Sequence, residues 1–180
     1  HLSIRRQRQM CIRDSPYSAL TIEYVDKIAS VFNIVIKPVL VGEENPETVH
    51  EPTLYSEYCL TDVNRIAEYY GVSFSSKNYP EKSLVDIANS ILAAVDESEF
   101  ISTARLVSKS LWNNEKKALE ELSIKFTADH DLVIKKLNQG NTIRNEKGYY
   151  FGSAFYYGKE LYWGVDRIPV SYTHLRAHET

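Results

Sequence analysis

Cysteine is close to absent. The 180 residues hold two, Cys11 and Cys59, and no Cys-x-x-Cys. That motif is what a self-contained dithiol centre needs, so redox work by the chain's own thiols is excluded. Histidine is scarce too, at five, and no His, Cys, Asp or Glu cluster has the spacing of a metal site. No apolar run is long enough to cross a bilayer. Repeats, low-complexity tracts and long linkers are missing, which leaves one domain. Positive charge is also in deficit: the formal net charge is −3, so nothing electrostatic favours nucleic acid as a partner.

Two terminal stretches read as foreign to that domain. Arg5 to Asp14 back-translates without a forced codon to a transposon-type sequencing adapter, and His1 to Ile4 fit the index region upstream of it. Val170 to Thr180 matches the opposite adapter in the same way. Residues 1–14 and 170–180 are therefore expected to be adapter artefact, with Ser15 and Pro169 as junction codons, and 15–169 as the domain. Setting the two stretches aside removes five of 21 basic and two of 24 acidic residues, leaving 16 and 22 and a net charge of −6. Cys11 goes with them, so Cys59 is then the one native cysteine.

From Ser15 the pattern is helical. Serine is a favoured N-cap and proline a favoured first helical residue, and Ser15-Pro16-Tyr17 supplies both. Leu20, Tyr24, Ile28 and Val31 follow at helical spacing. Ile34 to Val41 is a dense β-branched run, the signature of a buried parallel strand. The strand that should precede Ser15 falls in the adapter stretch, so one strand is expected to be missing or replaced. Glu43 to Pro52 is a polar loop.

A helical segment occupies about residues 53–126. Tyr58, Asp62, Arg65 and Ile66 share one helical face, and Gly71 closes that helix. Asp62 and Arg65 are expected to pair within the helix, weakly. Ser83 to Asp86 suggests a capping box, with Ile87, Ile91, Leu92 and Val95 apolar. Ala104, Val107, Leu111 and Trp112 point inward from the next helix, and Leu119, Leu122 and Ile124 are the apolar positions after it. Thr127 is placed to cap a helix over Ala128 to Leu137, stopped by Gly140. A short helical turn, Asn141 to Lys147, then leads into a stretch where two aromatic-rich runs flank Gly158-Lys159, a hairpin signal.

That last stretch resembles the closing hairpin of the 2-hydroxychromene-2-carboxylate isomerase family, relatives of kappa-class glutathione transferases and of DsbA. The family pattern runs approximately Phe-Gly-x-Pro-Thr-Phe, then Gly-Glu-Leu-Phe-Trp-Gly-x-Asp-Arg-Leu. Phe151-Gly152-Ser153, Glu160-Leu161-Tyr162-Trp163-Gly164 and Asp166-Arg167-Ile168 follow it. Ser15-Pro16-Tyr17 and Tyr58, Asp62 and Arg65 match further family motifs. The resemblance implies an α/β, thioredoxin-like fold with an α-helical insert. It also implies a cytoplasmic, glutathione-dependent isomerase or transferase acting on a small aromatic substrate, with no nucleic-acid or membrane partner and with homodimers common among its members.

For the site, the resemblance makes Ser15 the catalytic residue, donating to the thiolate of glutathione; on residues alone it could equally be a helix cap. Asn45, Tyr55, Gly152, Ser153 and Asp166 fall at glutathione-binding positions, and no metal is implied. Two departures stand out. Tyr55 replaces a lysine of the family, and no proline occurs between Pro80 and Pro169, so Ser153 or Ala154 fills the place of a cis-proline. A cis bond before a non-proline residue costs about 2.5–4 kcal/mol, so a trans peptide is expected there. The alternatives are a DsbA-like protein-disulfide oxidoreductase, which the cysteine count opposes, and a non-catalytic binding protein of the same fold.

Overall fold

The computed structural model describes residues 7–12, 15–32, 35–42, 49–74, 76–149, 151–157, 159–164 and 167. The expectations for Asn45 and Asp166, for the turn residue Gly158 and for the C-terminal stretch lie outside the described residues.

Among the described residues four strands form one mixed sheet in the order β2-β1-β3-β4. Strand β1 (Gln7–Ile12) runs parallel to β2 (Val35–Leu40) and antiparallel to β3 (Ala154–Tyr157). Strand β4 (Glu160–Trp163) pairs antiparallel with β3. Thus the place of the first strand is filled, from Gln7 to Ile12, and the sheet does not lack it. Alternating Gln, Arg, Gln, Met, Cys and Ile can pair in a ladder because the ladder is made of backbone groups. Pro38 sits in β2, opposite Met10. It is tolerated because β2 is an edge strand, with β1 on one side only.

Helix α1 (Pro16–Phe32) connects β1 to β2. Its burial extends beyond one stripe: Ser18, Leu20, Thr21, Ile22, Val25 and Ile28 are each at most 2% exposed, while Glu23 and Ser30 face solvent. The sheet lies on one side of it and helices α2 (Pro52–Tyr70) and α4 (Glu97–Trp112) on the other. A helix wrapped on both sides needs apolar residues beyond one stripe, which Ile22 and Val25 supply. The insert is completed by α3 (Lys82–Ala94) and α5 (Lys116–Lys125). Among the described residues no helix is long and apolar enough to cross a membrane.

Several local expectations are corrected. In α2 the buried residues are Cys59, Val63 and Ala67, one position round from the face that Tyr58, Asp62 and Ile66 share, and Tyr58 is exposed. Gly71 does close α2 in the left-handed conformation, with its own N–H and that of Val72 capping Glu68 and Ala67. No Ser83 capping box forms, because α3 begins earlier, after Glu81. Leu119 is fully buried while Ile124 is exposed at the end of α5.

Helix α6 (His130–Glu146) is capped by Asp129, whose carboxylate accepts from the Leu132 N–H at 2.8 Å. Thr127 instead donates to the Ser123 carbonyl. Gly140 does not stop this helix. A Cβ there would sit 1.8 Å from the Leu40 carbonyl oxygen, so glycine lets α6 lie directly on the edge strand. Asn141 and Arg144, one turn further on, bond the N–H and carbonyl of Gly42 at 2.9 and 3.3 Å. The expected separate turn from Asn141 to Lys147 is the continuation of α6.

Candidate functional site

The first turn of α1 is built by its sequence. The Ser15 carbonyl accepts from the N–H groups of Ser18 and Ala19, at 2.9 and 3.2 Å, which makes Ser15 the N-cap and Pro16 the first helical residue. Pro16 has no N–H to leave unsatisfied. The Tyr17 amide lacks an acceptor within the helix, and the macrodipole adds partial positive charge at this end. Ser15 is partly exposed, so a hydroxyl and the positive end of a helix are presented together. An anion, a thiolate included, is stabilised by that combination.

Ser18 is one turn from Ser15 on the same face of α1. Its Oγ lies 2.7 Å from the Oγ of Ser153, and both residues are buried. Ser153 has φ +58, left-handed backbone, and its carbonyl accepts from the Gly164 N–H at 3.1 Å. The segment entering β3, the residue leaving β4 and the start of α1 are thereby fixed to one another. No cis peptide bond occurs among the described residues, as expected for a chain without proline at this point. Ser153 has 0% of its surface exposed and Gly152 is also buried. In this arrangement both lie beneath the surface at the start of the hairpin.

Beside the helix end five aromatic rings make a continuous wall. Phe151 is stacked between Trp163 and Tyr55, with ring centroids 5.0 and 5.9 Å away. Tyr149 meets Phe151 edge-on at 5.9 Å and Trp163 at 6.2 Å. Tyr17 closes the far end, edge-on to Trp163 at 6.2 Å. Each such pair adds about 0.5–1.5 kcal/mol beyond area burial. Tyr55 takes part in the wall through its ring. Trp163 remains 37% exposed, so the wall has a face open to solvent.

Behind the wall, the Tyr17 hydroxyl donates to Asp62 Oδ2 of α2 at 2.8 Å. Asp62 forms no ion pair with Arg65 among the described residues; the expected intrahelical pair gives way to this bond between helices. Burial, and next Asp62 and the neighbouring Cys59, push the Tyr17 phenol well above the ordinary tyrosine range. Tyr17 therefore stays protonated and neutral. Cys59 is itself 2% exposed, and no group of metal-binding side chains forms among the described residues.

Sequence reasoning singled out Ser15 and Tyr55 but missed the wall and the Ser18–Ser153 contact. The signal for the wall was present as the concentration of aromatics from Tyr149 to Trp163, read only as a hairpin. The serine contact spans 135 residues, a distance over which no local pattern speaks.

No protein-family model and no curated protein matches the chain. Solved structures do. One, described as 2-hydroxychromene-2-carboxylate isomerase, superposes with a TM-score of 0.66 at 15% identity, covering 95% of each chain. Another, described as a candidate protein disulfide isomerase from Nitrosomonas europaea, gives a TM-score of 0.62 at 15% identity, over 97% of this chain and 99% of the other. The chain thus has the fold of 2-hydroxychromene-2-carboxylate isomerase and of DsbA-like proteins: a thioredoxin-like sheet carrying an α-helical insert.

Proposed function

We propose that this chain is a glutathione-dependent isomerase, with glutathione transferase activity as the related chemistry, acting on a small conjugated aromatic substrate. One observation carries the reading: Ser15, at the N-terminus of α1, lies two residues from Tyr17, where the aromatic wall begins. Anion-stabilising donors and an aromatic surface stand side by side. The fit to glutathione is good at the thiol end, where the Ser15 hydroxyl and the helix terminus favour a thiolate. At the peptide end Tyr55 is, among the described residues expected there, the accessible one, since Ser153 is buried.

When bound there, glutathione supplies a nucleophile that adds to a conjugated carbon, lets the new single bond rotate and leaves on elimination as the trans alkene forms. Ser15 holds the sulfur as thiolate and receives it again after elimination. Tyr17, Phe151 and Trp163 hold the planar substrate and exclude water from one face. Tyr17, neutral and already donating to Asp62, offers its ring rather than its proton. A dithiol oxidase would need cysteine where Ser15 stands.

The test follows interconversion of 2-hydroxychromene-2-carboxylate and its opened trans form by ultraviolet absorbance. Turnover is expected only with reduced glutathione present. Equal rates with and without it would overturn the proposal.

A further inference from the structure

We infer that Asp62 is a positioning residue for the substrate wall, acting through Tyr17; the inference rests on the wall being the substrate face. Tyr17 belongs to two structures at once. Its hydroxyl donates to Asp62 Oδ2 at 2.8 Å, and its ring stands edge-on to Trp163 at 6.2 Å. Asp62 lies on α2 and the contact spans 45 residues. It is therefore the insert that sets where the ring at the helix end can stand. The same helix carries Tyr55 in its first turn, the ring at the opposite end of the stack. Both ends of the wall are thus referred to α2, and the middle, Phe151 and Trp163, is referred to the hairpin.

A phenol has one rotational freedom that matters for shape, the swing of the ring about χ1. Stacking on one side leaves that freedom partly open, because an edge-on pair is shallow in energy. A hydrogen bond from the hydroxyl to Asp62 closes it, because the bond is directional. Without Asp62 the hydroxyl keeps only its weaker contact with Cys59, and the wall loses the directional bond that fixes its end. The bond requires an acceptor at Oδ2, not a negative charge as such. Asparagine can supply that acceptor, and alanine cannot.

The experiment uses the full chain labelled with 5-fluorotryptophan, which reports Trp163 and Trp112 separately by 19F NMR. Trp112 sits in the insert against Phe74 and Tyr79 and serves as an internal reference. Asp62→Ala and Tyr17→Phe should each move or broaden the Trp163 resonance and leave Trp112 in place. Asp62→Asn should leave both unchanged. In parallel, coumarin-3-carboxylate, a planar bicyclic probe, is titrated against each variant without glutathione. Asp62→Ala and Tyr17→Phe should weaken it by about three- to tenfold, the double variant no further, and Asp62→Asn within about twofold of the parent.

An unchanged Trp163 resonance in Asp62→Ala overturns the inference, as does an Asp62→Asn variant as impaired as Asp62→Ala. Failure of the parent to bind the probe overturns the wall as a substrate face, and the specificity role with it. Should Asp62→Ala not fold, Tyr17→Phe and Asp62→Asn still decide the matter, since the inference requires the first to move Trp163 and the second not to. Neither arm involves glutathione, so a failure of the thiolate site is distinguishable from a failure here.

Discussion

The hydroxyls of Ser18 and Ser153 meet at 2.7 Å, out of contact with solvent, and join the start of α1 to the left-handed residue that enters β3. Each satisfies the other. Removing one leaves a buried hydroxyl without its partner, which costs about 1–3 kcal/mol, whereas removing both leaves none. Ser18→Ala and Ser153→Ala should each destabilise by about that amount in urea unfolding. The double variant should cost less than their sum by about 1 kcal/mol. Strict additivity would mean that the two hydroxyls do not depend on one another.

Gly140 is expected to be intolerant of any side chain. Its place on the Leu40 carbonyl leaves 1.8 Å for a Cβ, and the obstacle is backbone, which cannot rotate away. Gly140→Ala should lose about 2–3 kcal/mol or more by overpacking, despite alanine's better helix propensity. Gly148→Ala is a useful contrast, because there the penalty comes from φ +75 and not from crowding. If Gly140→Ala melts at the parent temperature, α6 does not lie on β2 as described.

The Tyr17 phenol gives the protein a defined alkaline sensitivity. Its folded pKa is raised by burial and by Asp62, so below the ordinary tyrosine pKa of about 10 both states keep the proton and its contribution is complete. Above about pH 10 the unfolded chain releases that proton while the folded chain retains it. The unfolded state then binds fewer protons, and stability falls as pH rises. Tyr17→Phe should lose less stability than the parent between about pH 9 and 11, by up to about 1 kcal/mol, allowing for partial exposure of the ring. Parallel stability curves would show that the phenol is not held as described.

How far the sequence could be read follows the range of the interactions concerned. The Ser-Pro start of α1, the Gly71 terminus and the inward face ending in Trp112 depend on neighbours within a turn or two, and they were legible. The limits of α3 and α6 were misread because Ser83 and Thr127 have the chemistry of caps but lie a residue or two from where tertiary packing starts each helix. Gly140 reads as a helix end because nothing local shows that Leu40 lies underneath. The site divided in the same way. Ser15 could be seen because a helix N-cap is local, while the pairing of Tyr17 with Asp62 and the stacking of Tyr55 on Phe151 exist only once the insert has folded back on the hairpin.

Ser15 acts in the proposed reaction as a donor to sulfur. Thiolate absorbs in the near ultraviolet, so the thiol of bound glutathione can be titrated directly in the complex. In the parent it should ionise below the free-thiol pKa of about 8.5. Ser15→Ala removes one donor to the charged form and keeps the dipole, so the apparent pKa should rise. A hydrogen bond to a charged group contributes roughly 1.5–3 kcal/mol, which corresponds to a rise of about one to two pH units. Ser15→Gly caps nearly as well but donates nothing, and should match Ser15→Ala, separating sulfur bonding from helix capping. If glutathione ionises in both variants as it does in the parent, Ser15 is only a cap and the proposed catalytic role is contradicted.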